Sequence, residues 1–238
     1  SEQKIGWEVG EFSGALALGD RFGAAVATVG DIDGDGIVDL AVGATGDDEA
    51  GTDAGAVWLL FLNADGTVKS HHKIGAQEPA LSGELRLGGG FGGALAALGD
   101  FDGDGTPDLA VGSPAAGTGV VHLLLLATDG SVREHRRIGP YTGYDRFGAS
   151  LAAVDIDDDG IMDLAVGMPG AASWGVGSAA GAVLLVFLDA SGNARDSVQL
   201  ERRYPLVFPL QPKSALGAAL AELGDDDGDG YVDIAAGA

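Results

Sequence analysis

Cysteine is absent from this 238-residue chain, so neither a disulfide framework nor thiolate chemistry can be built from it. Secretion stays open, because a bound metal can replace disulfides as a staple. Positive charge is scarce: 13 Lys and Arg stand against 36 Asp and Glu, a formal net charge of −23. Nucleic-acid binding is driven by basic side chains that neutralise phosphates, and that class of partner is excluded. An anionic membrane surface would repel the chain as well. No run of 18 apolar residues occurs and no charged-then-apolar leader opens the sequence. The expectation is the mature, soluble part of a protein, without direct membrane insertion. A nucleophile elbow, a phosphate loop, zinc-ligand spacing and a paired base and nucleophile are all missing, so an enzyme is not expected.

What the chain does have is glycine and repetition. Its 42 glycines far exceed the usual ~7% and follow no collagen-like triplet, which points to many tight turns. The 46% hydrophobic content is enough for one substantial core or a ring of small sheets. A shift of 69 residues lays the first unit on the second: Lys4-Ile5-Gly6 meets Lys73-Ile74-Gly75, Phe22-Gly23 meets Phe91-Gly92, and Asp31 meets Asp100. Asp155, preceded by Phe147-Gly148, follows 55 residues after Asp100, and Asp225, preceded by Leu216-Gly217, another 70 on.

Each unit reads as strands. A small apolar segment such as Phe22 to Val29 comes first, then Asp39-Leu40-Ala41-Val42-Gly43. A continuous apolar run follows, at Ala56 to Leu62, Val120 to Leu126 and Ala182 to Leu188. Such runs, bounded by glycine turns, suit strands covered on both faces. The fourth segment, Thr67 to Ile74 or Ser131 to Ile138, is polar and basic. With Lys4 and Arg195 it takes seven of the 13 basic residues, and positive charge on an outer strand blunts edge pairing. The expected unit is a propeller blade of four antiparallel strands, running from small and buried to charged and exposed. The organisation is an outer strand at 1–6 belonging to a preceding or closing blade, blades at 20–75, 89–139 and 145–201, and a partial blade at 214–238. Three full blades plus parts of a fourth imply a segment of a longer chain, or a ring completed by another copy or another chain.

The acidic residues gather in four loops, DIDGDGIVD, DFDGDGTPD, DIDDDGIMD and DDDGDGYVD. Positions 1, 3, 5 and 9 are aspartate in each: Asp31, Asp33, Asp35 and Asp39; Asp100, Asp102, Asp104 and Asp108; Asp155, Asp157, Asp159 and Asp163; Asp225, Asp227, Asp229 and Asp233. Position 7, occupied by Ile37, Thr106, Ile161 and Tyr231, can offer its backbone carbonyl. Glycine at position 6 allows the sharp bend. This all-oxygen set of high coordination number suits Ca2+, one ion per loop and about four in all. Two carboxylates ~4 Å apart repel by about 4 kcal/mol at an effective dielectric of 20, so empty loops would be hard to sustain. An EF-hand needs glutamate at position 12 and flanking helices. Here position 12 is Val42, Val111, Val166 or Ala236, and the EF-hand and dockerin readings fail.

The succession FG, GDxDGDGxxDLAVGA and GAVxxxFL resembles the FG-GAP repeat of integrin α-subunit propellers and of secreted bacterial and algal proteins. The resemblance covers nearly the whole chain. It implies an all-β propeller whose innermost strand starts at FG, with calcium in the loop to the next strand. Asp158 replaces the usual glycine at position 4, where a left-handed backbone is expected; Leu216 replaces phenylalanine, and Asp226 adds a charge beside its loop. The implied function is a calcium-stabilised module for adhesion or structural surface assembly, extracellular or at the cell surface, with a protein or glycan partner. Calcium is expected to stabilise the fold rather than to bind a ligand or catalyse. The alternatives are a carbohydrate-binding lectin propeller and a non-catalytic domain of a larger extracellular hydrolase.

His122 interrupts an apolar strand and is expected to be packed and hydrogen-bonded. His71, His72 and His135 lie on basic strands and are expected to be solvated. Trp7, Trp174, Tyr144 and the stretch Arg202 to Pro212 fall in connections, where loop packing is the expected role and sugar or partner contact the alternative.

Overall fold

The computed structural model describes residues 3–6, 9–114, 119–139, 146–172, 180–200 and 213–238. Trp7, Trp174, Tyr144 and Arg202 to Pro212 lie outside the described residues. The fold is all-β, apart from a single 3-10 turn at Pro79–Leu81 among the described residues. Three sheets have four strands each: β1 (Phe22–Gly30), β2 (Asp39–Ala44), β3 (Ala56–Leu62) and β4 (Val68–Ile74); β5 (Ala94–Gly99), β6 (Asp108–Ser113), β7 (Val120–Leu126) and β8 (Val132–Ile138); β9 (Leu151–Val154), β10 (Asp163–Met168), β11 (Ala182–Leu188) and β12 (Ala194–Leu200). A fourth sheet pairs β13 (Ala219–Gly224) with β14 (Asp233–Gly237). Strands neighbouring in sequence are neighbours in each sheet, the up-and-down order of a propeller blade.

The chain forms two compact units, Ser1–Val111 with Leu123–His135, and Gly112–His122 with Arg136–Ala238. In the first, β3 shows why a strand can be apolar throughout. Its period of two sends Val57, Leu59 and Phe61 to one face, where they meet Phe91, Leu109, Leu124 and Leu126. Trp58 and Leu60 point to the other face, covered by Phe12, Val42 and Val68. The Phe12 ring stacks on Phe22 at 5.2 Å and meets Trp58 edge-on at 5.3 Å. Ile5 packs against this second cluster, and Gly6 bridges antiparallel to Val9. In the second unit Ala152, Ala165, Val183 and Leu216 form the buried nucleus. Leu216 fills the place that Phe91 and Phe147 occupy in their own units, at 6% exposure against 0% for both phenylalanines.

The repeated glycines of the FG and AVG segments have a steric reason. A Cβ on Gly43 would lie 2.0 Å from the Gly92 carbonyl oxygen, and one on Gly167 would lie 2.1 Å from that of Gly217. These are backbone-on-backbone contacts between successive repeats, which no side chain fits.

Two expectations need correction. The first strand is not uniformly buried: along β1 most residues are exposed or half-exposed, and Val26 is 59% exposed. Its ladder partner β2 lies on one side, β5 packs against it, and Phe12 covers Phe22 at its start. His71 and His72 are half-buried rather than solvated. The His71 ring lies against Phe12 and Trp58, and burial lowers its pKa. His72 Nε2 sits 2.5 Å from the buried Glu78 carboxylate. His122 behaves as expected: it is buried, with Nε2 3.2 Å from the Ser113 hydroxyl.

Candidate metal centres

The four aspartate loops connect the first and second strands of their sheets. Each is a tight coil held by its own carboxylates. At position 1, Asp31 accepts the Asp35 and Gly36 N–H groups at 3.0 and 2.8 Å. Asp155 accepts those of Asp159 and Gly160, and Asp225 those of Gly228, Asp229 and Gly230. Asp100 accepts Gly105 N–H at 2.9 Å. The bend needs a left-handed residue at position 4, with φ of 75° at Gly34, 76° at Gly103 and 78° at Gly228. Asp158 adopts φ 58° in the third loop, as expected of an aspartate in that place.

Position 9 ties each of the first three loops to the sheet. Asp39 accepts Ile32 and Leu62 N–H, Asp108 accepts Phe101 and Leu126, and Asp163 accepts Ile156 and Leu188, all within 2.8–3.2 Å. All three aspartates are buried. Burial is what raises their pKa values, to about 6 at Asp108, with the nearby Asp102 charge adding to it; Asp39 and Asp163 shift in the same direction.

The ligand atoms that converge are those of Asp31, Asp33 and Asp39; Asp100, Asp102 and Asp108; Asp155, Asp157 and Asp163; and Asp225, Asp227 and Asp229, each group within 4.8 Å. Positions 1, 3 and 9 therefore meet in the first three loops, and positions 1, 3 and 5 in the fourth. One atom marks the first site further. Asp33 Oδ1 is buried and has no hydrogen-bond partner, a state that is costly for a carboxylate oxygen without a cation. The donors are all carboxylate oxygens, which fits a hard divalent cation rather than a soft one. Of position 7, the N–H groups of Ile37, Thr106, Ile161 and Tyr231 are engaged, each donating to the position-5 aspartate.

A basic side chain reaches each of the first three loops, which the sequence reading missed. Lys69 Nζ lies 2.6 Å from Asp33 and is also bonded to Asp35. Arg133 contacts Asp102 and Asp104, both at 2.6 Å. Arg195 is bonded to Asp157 and lies 2.9 Å from Asp159. The hydrogen bond that Asp35 accepts from Lys69 is the main cause of its lowered pKa. The sequence holds a signal for this: each cation stands three residues after a turn glycine, Gly66, Gly130 or Gly192, and so enters the outer strand in one phase. The outer-strand charge thus does more than blunt an edge.

Family models match the chain in these same segments. The FG-GAP repeat matches residues 22–60 and 147–186, and the FG-GAP-like repeat matches residues 100–166, together more than half the chain. Integrin alpha-IIb of Homo sapiens is 40% identical over 165 residues and integrin alpha-PS5 of Drosophila melanogaster 38% over 167. Each alignment covers 65% of this chain and 15% of the relative. Phosphatidylinositol-glycan-specific phospholipase D of Bos taurus is 32% identical over 209 residues, covering 84% of this chain and 24% of the relative. The chain spans between a seventh and a quarter of the length of these proteins. No helix among the described residues is long and apolar enough to cross a membrane. With its repeats in phase, its strands in blade order and these relatives, the chain belongs to the FG-GAP repeat family and is integrin-α-like.

Proposed function

We propose that this chain is a calcium-stabilised propeller module that works outside the cell or at its surface by binding a protein partner. The observation that carries the reading is the fourfold recurrence of converging carboxylates in one loop of each sheet. Asp31, Asp33, Asp35 and Asp39, with their counterparts in the other loops, would hold the ion together with the position-7 carbonyls. Bound calcium would neutralise the loop and lock the first two strands of each sheet. No further chemistry is required of it. The interaction role rests on the integrin relatives, whose likeness is confined to a small part of their length.

A melting curve with and without chelator tests the calcium reading. Calcium at 100 times its dissociation constant adds ~2.7 kcal/mol per site, equivalent to roughly 5–10 °C in a domain of this size. Asp35→Ala and Asp104→Ala should each weaken calcium binding by calorimetry and lower the melting temperature in calcium. A wild-type curve that chelator leaves unmoved would contradict the reading.

A second reading has its own support. The bovine phospholipase D relative matches over more of this chain than the integrins do, which favours a non-catalytic module of a larger hydrolase. Flanking sequence of the parent protein with a catalytic constellation would select it.

A further inference from the structure

The first three loops share a feature that their outer strands supply. Lys69, Arg133 and Arg195 each bridge the position-3 and position-5 carboxylates of their loop from the outer strand. In those loops position 5 stands outside the converging group, which consists of positions 1, 3 and 9.

The pairing has an electrostatic consequence. A cation at 2.6–2.9 Å from a carboxylate draws that oxygen toward itself. It also places a positive charge beside the point where a divalent ion would sit. We propose that Lys69, Arg133 and Arg195 are internal counter-ions that compete with calcium for the position-5 carboxylates. The first three loops then bind the ion more weakly than they would without these cations, and keep their shape when calcium is scarce. Each cation is long and flexible enough to swing outward once an ion claims the carboxylates. This proposal rests on the calcium reading above and deepens it.

The test is calorimetric titration of the chain with calcium chloride, beside melting curves in chelator, for the wild type, Lys69→Met, Arg133→Met and Arg195→Met. In each variant one site should tighten about tenfold, while the melting temperature in chelator falls by about 2–4 °C. Lys69→Arg, which keeps the charge, should keep wild-type affinity, and Lys69→Gln replaces Lys69→Met should the latter fail to fold. Affinity that stays constant or weakens in the neutral variants would overturn competition. An unchanged melting temperature in chelator would overturn the counter-ion role. Calcium binding seen in the variants but not in the wild type would support the proposal. Silence from wild type and variants alike would remove the calcium reading itself, and the proposal with it.

Discussion

The loops Asp100–Asp108 and Asp225–Asp233 carry nearly the same letters and sit in different surroundings. In the first, the ninth residue is buried and accepts two backbone N–H groups, one of them from Leu126 on the third strand. In the second, the described partner of Asp233 is the Asp226 N–H inside its own loop, with Val232 exposed and Ile234 half-buried beside it. A motif thus fixes the ligand types and the bend. Where the third strand is present, its N–H adds a contact that holds them.

The sharpest way to break this comparison is to remove the position-9 carboxylate. Asp108→Ala leaves the buried Leu126 N–H and the part-buried Phe101 N–H without an acceptor. An unpaired buried donor costs about 1–3 kcal/mol, so the pair should lower stability by about 4 kcal/mol in a denaturant titration run in chelator. Asp233→Ala exposes a single N–H near solvent and should cost about 1 kcal/mol or less. Equal losses from the two would mean that the contact to the third strand contributes nothing.

The pH dependence sharpens the same contrast. Asp108 has its pKa raised by burial to about 6, so the folded state holds that proton more tightly than the unfolded state does. Without calcium this contribution favours folding below about pH 4, and is lost as pH rises through 6. Two units correspond to about 3 kcal/mol. Carboxylates shifted the other way, such as Asp65 and Asp129, lose their contribution only below about pH 4, outside this window. Melting temperature in chelator should therefore rise as pH falls from 7 to 5. Calcium, which favours the ionised form, should flatten or reverse that trend. Asp108→Asn should reduce the slope in chelator, with Asp39 and Asp163 keeping the remainder, and a slope unchanged by that substitution would assign the effect elsewhere.

Most of the fold was legible because its physics is local. The apolar runs at Ala56 to Leu62, Val120 to Leu126 and Ala182 to Leu188 coincide with β3, β7 and β11, since a strand covered on both faces leaves no room for polar residues. The loops announced themselves by aspartate spacing and glycine. What was not legible depends on contacts between distant segments. Lys69 lies 34 residues from Asp35, and nothing in the local pattern says that an outer-strand lysine reaches back to the first loop. His71 reads as polar and solvated until Phe12, from a segment ahead of the first strand, closes over it. The exposed flank of β1 was hidden likewise, because its small apolar residues look the same whether or not a neighbour covers them.

The smallest expected difference tests the backbone packing on which the repeat depends. Gly43 and Gly237 hold the same place in their units, at the end of the second strand. A Cβ at Gly43 would meet the Gly92 carbonyl oxygen at 2.0 Å, and backbone on both sides leaves neither partner free to yield by rotating a side chain. Gly43→Ala should therefore force the two repeats apart and destabilise by about 1–3 kcal/mol. At Gly237 the nearest atom is the Ala219 Cβ at 3.5 Å, an ordinary contact. Gly237→Ala should fall within about 0.5 kcal/mol of wild type in the same denaturant titration. A loss at Gly237 matching that at Gly43 would show that its surroundings in solution are as crowded as those of the first sheet.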